Sequence, residues 1–332
     1  MELTFATQYA RVIGDVIADA GGDRAAWLAR NKLTDAHLAA AEITLSVRAL
    51  RTLIETAIEV SGETALGLLV GARLASAAHG LVGFAASSAP TLQSALDILE
   101  RFAALRVPVV TFDRVADGAS VCVRVRTSAA LGDAKDPIRE TAVLAIVKVV
   151  RELTLGAARI RSVAFELERP AHAALARQLC ATEVRYRQSW TGLVLDARDL
   201  ARPLQLANLE LHAEARRLCE ATLARRSDRR GTAARLRELM LQQDALPSLP
   251  VAARLMGMGP RTLHRRLVAE RTSFRSVLEA IRRELAREHL RANQLSIGQI
   301  GHLLGYTDIS NFRRAFTRWE LIAPSRFRKR AR

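Results

Sequence analysis

The sequence is poor in cysteine, in aromatic residues and in long apolar runs. Its three cysteines, Cys122, Cys180 and Cys219, lie far apart, with no CxxC pair and no Cys/His cluster. Neither a structural zinc nor a disulfide framework is indicated, which suits a reducing compartment. No run of about 18 apolar residues occurs, so no membrane span is expected. The opening MELTFATQYARVIGDVIADAGG carries acidic residues early and lacks the apolar core of a signal peptide, so a cytoplasmic location is expected. The 7 histidines are scattered, none in a metal or triad motif. Cys122 sits in a strand pattern and reads as a core residue rather than a nucleophile. The Gly-rich segment lacks both the phosphate-loop lysine and the dinucleotide fingerprint. No catalysis, metal or cofactor is therefore expected.

What is abundant is arginine. The formal net charge is +16, which points to a polyanionic partner. Of the 50 basic residues 46 are Arg, so coding bias is a competing explanation. Distribution separates the two. Residues 233–332 hold 20 basic and 8 acidic side chains, against 30 and 26 in residues 1–232. The length of 332 residues allows two domains, each able to bury its own core.

The basic segment contains the same pattern twice. In residues 248–270, Val251, Ala252, Leu255 and Met256 form an apolar stripe and Gly257 ends that helix. Gly259-Pro260 then starts a second helix. Leu263 and Leu267 point inward, leaving Arg261, Thr262, His264 and Arg265 outward. In residues 295–319, Ile297, Ile300, Leu303 and Leu304 form the stripe and Gly305 breaks it. Thr307 or Asp308 caps the next helix. Phe312 and Phe316 face inward, and Ile309, Ser310, Arg313 and Arg314 outward. A major groove admits one α-helix, and polar tips of this kind read base edges there.

These residues are similar to a known family. The stretches ARLMGMGPRTLHRRLVAERTSF, RRELAREHL and IGHLLGYTDISNFRRAFTRW, with Pro324 and Phe327-Arg328 behind them, resemble the DNA-binding domain of AraC/XylS-family bacterial transcription regulators. The resemblance implies double-stranded promoter DNA as partner. It implies base contacts from Arg261, His264 and Arg265 in helix 260–269, with Thr262 beside them in the DNA-binding set, and from Ile309, Ser310, Arg313 and Arg314 in helix 308–317. Arg265 and Arg314 lead, since Arg grips guanine through two hydrogen bonds. Some of these residues are expected to touch only phosphate. Arg326, Arg328, Lys329 and Arg330 read as phosphate neighbours or a solvated tail. Three departures from the family stand out: Arg271 where a Gly is usual after the first recognition helix, Gly301 for an Ala-like residue, and Leu321 with Ala323 for the usual Gly and Ser.

The first 210 residues mix periods. Residues 1–60 read as helical, with Tyr9, Val12, Val16, Ile17 and Ala20 on one stripe. Short helices are expected over 24–31 and 34–41, and a longer one over 45–60. Residues 61–107, with GETALGLLVGARLASAAHGLVGFAASSAPTLQSALDILERFAAL, resemble the arabinose-binding-type effector domain of an AraC-family subgroup. That name does not imply that arabinose binds here. Gly67, Gly71, Gly80 and Gly83 suggest close backbone approach or an interior shaped by small residues. A hairpin follows in residues 108–127 around Asp117-Gly118. Helix 136–153, strand 160–167, helix 172–180 and strands 183–186 and 192–195 come next. A helix over 204–226 puts Leu204, Leu211 and Leu218 seven apart, either a dimer seam or a face packed on its own domain. Residues 225–231 read as a charged linker. Helix 232–244, with Leu236, Leu239 and Met240 inward, opens the DNA-binding domain. Residues 274–291 form a strut joining the two repeats.

The expected fold is an α+β N-terminal domain, with helices on a mainly antiparallel sheet, followed by an all-α domain with two helix-turn-helix units. The expected boundaries are 1–226 for effector sensing and dimerisation, 227–232 for the linker and 233–332 for DNA binding, with helix-turn-helix units at 249–270 and 297–318. The expected function is a sequence-specific regulator, an activator answering to a small-molecule effector of unknown identity. The resemblance further implies contact with RNA polymerase and a possible homodimer. A non-specific architectural DNA-binding protein is the first alternative. An enzyme with a helix-turn-helix targeting module is the second.

Overall fold

The computed structural model describes residues 2–229, 231–241, 246–293 and 295–330. The chain divides into two compact units, residues 1–223 and 224–332.

The first unit opens with β1 (Glu2–Ala6), α1 (Thr7–Asp19), α2 (Arg24–Arg30), α3 (Asp35–Ala39), β2 (Glu42–Ser46) and α4 (Val47–Ser61). The two strands correct the all-helical expectation for residues 1–60. They pair antiparallel with Leu3 opposite Leu45 and Phe5 opposite Ile43. Leu3 and Phe5 turn inward while Thr4 between them does not, so the period-two pattern is present but only five residues long. A partner 40 residues away makes it a strand. Leu45 thus belongs to β2, and α4 buries Leu50, Leu53, Ile54 and Ala57.

Next come α5 (Leu66–Arg73), α6 (Gly80–Ser87) and α7 (Leu92–Phe102), the hairpin β3 (Val110–Asp117) and β4 (Ser120–Thr127), and α8 (Lys135–Thr154). Then follow β5 (Ile160–Ala164), α9 (Ala173–Cys180), β6 (Glu183–Arg185) and β7 (Thr191–Asp196). Five strands form one sheet in the order β3-β4-β7-β5-β6. Its neighbours are antiparallel except β5 with β6. Helix α8 is the central buried element, with Val143, Val147 and Val150 almost fully enclosed. Gly67 and Gly71 let α5 lie directly on it. A Cβ at Gly71 would sit 2.6 Å from Leu144 Cβ, a distance no side chain tolerates.

Helix α10 spans Leu209–Arg229. It corrects two expectations. Leu204 is buried but precedes the helix, so Leu204, Leu211 and Leu218 do not share one seam. The inward face is Ala215 and Cys219, and His212 donates from Nδ1 to the Ala85 carbonyl at 2.8 Å. Residues 225–229, read as a linker, continue this helix. Arg230 lies outside the described residues.

The second unit contains α11 (Gly231–Leu241), α12 (Leu249–Leu255), α13 (Pro260–Ala269), α14 (Phe274–Ala292), α15 (Ile297–Leu303), α16 (Ile309–Glu320) and α17 (Pro324–Arg330). The expected extension of α11 through residues 242–244 falls outside the described residues. Two separate cores form. One joins Leu236, Met240, Ala252, Ala253, Leu263, Leu267, Val277 and Ile281. The other joins Ala286, Leu290, Ile300, Leu304, Phe312 and Phe316. Helix α14 feeds both: its 19 residues, at 1.5 Å each, make a strut of about 28 Å. The stripes differ in detail from expectation. Val251 and Leu255 are about half exposed and Ala253 replaces them in the core. Leu303 is likewise exposed. On a seven-residue helix only about two positions face a core this narrow, and the small alanines let α12 approach closely.

Candidate nucleic-acid interface and an apolar cavity

Each repeat is built by a turn that swings its second helix outward. Gly257 (φ 67°) and Gly305 (φ 78°) lie in the left-handed region that ends α12 and α15. Gly259 and Pro260 then start α13. Asp308 accepts a hydrogen bond from the Ser310 N–H at 2.8 Å and starts α16; of Thr307 and Asp308, the cap is Asp308. Buried Leu263 and Leu267 fix one face of α13, and Phe312 and Phe316 one face of α16.

The opposite faces are polar. Arg261, His264 and Arg265 are exposed on α13, with Thr262 half-buried beside them. Ser310, Arg313 and Arg314 are exposed on α16. Ile309 is half-buried, its Cδ1 lying over Gly298 at the start of α15. It therefore packs the turn as well as bordering the exposed face. Among the described residues the side chains of Arg261, Arg265, Arg266 and Arg313 have no hydrogen bond or ion pair. Arg314 donates to Asn311 Oδ1 at 2.8 Å. Asn311 and Arg266 extend the polar faces and were not singled out from the sequence, although helical spacing from Ser310 and Arg265 could have found them.

A second set of arginines is occupied in holding the scaffold. Arg283 and Arg287 of α14 grip the nearly buried Glu320 at 2.6 Å each. Glu320 is buried, yet the two guanidiniums hold its carboxyl below the usual range. Arg282 donates to the Leu304 carbonyl at 2.8 Å, capping α15, and its guanidinium stacks on Tyr306. Arg318 pairs with Glu279 at 3.0 Å. Arg328 donates to the Leu295 carbonyl at 2.7 Å, so it braces the fold rather than forming part of a free tail.

The first unit contains a partly open cavity of about 140 Å³, bounded by β1, α1, β2, α4, α5, α6, α7, β3 and α8. Its wall is almost wholly aliphatic and contains no Asp or Glu. One corner is polar. There Tyr9 Oη and His79 Nδ1 share a hydrogen bond of 2.9 Å, and Arg106 joins them on the wall. Burial pushes the Tyr9 hydroxyl up to about 12, against the pull of Arg106. Burial also pushes His79 down to about 4, helped by Arg106 and opposed by Glu152. The sequence hid this corner: three residues from three elements, with Tyr9 on a helix stripe that reads as core. Elsewhere, Cys122 is buried on β4, where burial raises its thiol. No group of three metal-ligating side chains occurs among the described residues.

A family model described as the N-terminal arabinose-binding domain of AraC transcription regulator matches residues 21–204, more than half of the chain. A helix-turn-helix domain model matches residues 252–330. The chain belongs to the AraC-type transcription regulators. Among the similar curated proteins, the ornithine utilization regulator of Pseudomonas aeruginosa is 30% identical over 97% of this chain and 95% of its own. The regulator VirS of Mycobacterium tuberculosis is 29% identical over 75% of this chain and 74% of its own. A crystal structure of the regulator CdpR from Pseudomonas aeruginosa aligns over 92% of this chain and 96% of that one, at 24% identity and a TM-score of 0.46. As an AraC-type regulator the chain carries a helix-turn-helix DNA-binding domain and an arabinose-binding-type N-terminal domain. No single helix among the described residues is long and apolar enough to cross a membrane.

Proposed function

We propose that this AraC-type regulator is an effector-responsive activator that reads two adjacent major grooves, using helices 260–269 and 308–317. The observation that carries the reading is the pairing of two outward arginine faces through one rigid helix. Successive grooves on one DNA face lie about 34 Å apart. The roughly 28 Å strut of α14, with side chains at each end, is of the scale needed. Arg261, Thr262, His264, Arg265, Ser310, Arg313 and Arg314 are the base-reading and phosphate-binding set, with Arg265 and Arg314 the leading base readers. Ile309 contributes at most an apolar contact with a thymine methyl, since it also packs the turn.

On this reading the N-terminal domain senses a small molecule and mediates dimerisation, in the cytoplasm. The exposed Leu211 and Leu218 of α10, seven residues apart on one face, favour a self-association surface there. Ligand binding shifts the population of arrangements that engage promoter and RNA polymerase. Ornithine is not carried over from the similar regulator's name, because the cavity wall here has no acidic side chain to meet an ammonium group. The architectural alternative stands on charge alone, and phosphate binding fades steeply with salt.

The test is retention of genomic fragments from around the protein's own gene, at near-physiological salt with competitor DNA. Selective retention of one promoter fragment supports the regulator reading. Equal retention of all fragments favours the architectural one. Promoter activation, rather than repression, in a reporter assay then checks the direction.

A further inference from the structure

The cavity in the first unit has a composition that specifies a ligand. Nearly all of its wall is aliphatic, from residues such as Ile13, Leu66, Val70, Ala142 and Ile146. Against this wall stands one cation. Arg106 has no carboxylate partner among the described residues, and its buried Nε has no hydrogen-bond acceptor. Its guanidinium lies over the Gly80 backbone, where a Cβ would come within 3.3 Å of Cζ. It is therefore held beside His79 rather than swung into solvent.

A guanidinium with no counter-ion against an apolar wall is unfavourable unless an anion arrives. Within the wall Arg106 meets only the neutral Tyr9 and His79, and no anion balances its charge. The neighbouring groups favour an anion. Burial keeps His79 uncharged at neutral pH and keeps the Tyr9 hydroxyl protonated. A neutral imidazole and a phenol offer hydrogen bonds without adding a charge that a single anion would leave unbalanced. One fixed cation matches one negative charge, and a planar guanidinium fork matches a carboxylate through two parallel hydrogen bonds.

Size limits the rest of the ligand. A dry apolar cavity of about 150 Å³ holds benzene in another protein, and this one measures about 140 Å³. A body of this scale, a single aromatic ring or a medium aliphatic chain, fits the apolar wall.

We propose that this cavity is the effector site and takes a small amphipathic monocarboxylate, its carboxylate held by Arg106 beside the Tyr9–His79 pair and its apolar body filling the aliphatic wall. The assignment rests on the effector-responsive reading for its regulatory consequence, but not for binding itself.

The experiment uses the full-length protein and calorimetric titration with benzoate, octanoate, 1-octanol and acetate. At least one of benzoate and octanoate is expected to bind one per chain. 1-Octanol, with the chain but no charge, is expected to bind at least tenfold more weakly than octanoate. Acetate, with the head but no body, is expected not to bind. In Arg106→Gln the preference for octanoate over 1-octanol should disappear while 1-octanol binding persists, which also reports that the cavity is intact. Failure of both acids to bind wild-type protein would overturn the site. So would equal affinity for octanoate and its alcohol, a comparison that needs no variant. Promoter affinity is measured in parallel with each acid. Arg106-dependent binding with unchanged promoter affinity keeps the site and removes only the effector-responsive reading.

Discussion

Arg271 and Leu321 occupy equivalent places in the two repeats, each taking a left-handed backbone (φ 55° and 58°) just after the second helix of its repeat, α13 or α16. Arg271 donates its N–H to the Val268 carbonyl at 2.9 Å, and Leu321 to Thr317 at 2.8 Å. The family resemblance places Gly at both positions, and the backbone shows why: a Cβ is disfavoured in this conformation. Arg271→Gly and Leu321→Gly should each stabilise the DNA-binding unit by about 1 kcal/mol. Thermal unfolding of single and double variants checks this, and the two effects should add because the sites share no partner.

Gly301 is the third departure, and it has the opposite remedy. It sits inside α15 with normal helical geometry, and a Cβ there would meet Phe312 Cβ at 3.4 Å, an ordinary contact. Gly301→Ala should raise stability by about 1 kcal/mol, through helix propensity alone. A loss of stability in denaturant titration would mean that Phe312 cannot accommodate the methyl group.

Arg265→Ala and Arg314→Ala should each weaken binding to the cognate site by about 1–3 kcal/mol and relax selectivity at one base pair. Arg326→Ala should instead weaken cognate and random DNA alike and reduce the salt slope by about one. Fluorescence titration on both DNAs at several salt concentrations separates the two classes. Uniform weakening by all three would show that the helices hold only phosphate.

Glu320 bridges Arg283 and Arg287 from a nearly buried position. Glu320→Gln leaves two guanidiniums without their anion and should destabilise the second repeat by about 1–2 kcal/mol, less than for a fully buried pair because both arginines are partly exposed. The carboxyl is held below its ordinary range in the fold. Its contribution is therefore present above the ordinary carboxylate range and is lost as pH falls through the depressed folded value. Wild type and Glu320→Gln should converge in melting temperature at low pH.

His79 gives a pH signature in the other unit. It is held neutral, pushed from 6.5 to about 4 by burial, with Arg106 adding and Glu152 opposing. The unfolded chain takes up the proton first, so stability is full above about 6.5 and falls as pH drops toward 4. The loss is on the order of 3 kcal/mol for a shift of this size. His79→Gln should flatten that slope between pH 6.5 and 4 in urea unfolding.

The sequence alone determined the DNA-binding unit because its helices are local. Capping, glycine breaks and apolar spacing act within a few residues, so Gly257, Gly305, Asp308, Leu263 and Phe312 were legible one by one. The hairpin and helix α8 were legible for the same reason, since a tight turn or a long apolar stripe carries its own signal. Tertiary structure decided what depends on distant partners. β1 and β2 are strands only because they meet each other across 40 residues. Val251, Leu255 and Leu303 match a helical stripe yet face outward, since short helices against small cores bury fewer positions than periodicity allows. The Tyr9, His79 and Arg106 corner is the clearest case. Each residue alone reads as ordinary, and only packing α1, the turn before α6 and the chain before β3 around one cavity brings them together. Charge and periodicity are properties of a chain, whereas a cation without a counter-ion in an apolar wall is a property of what surrounds it.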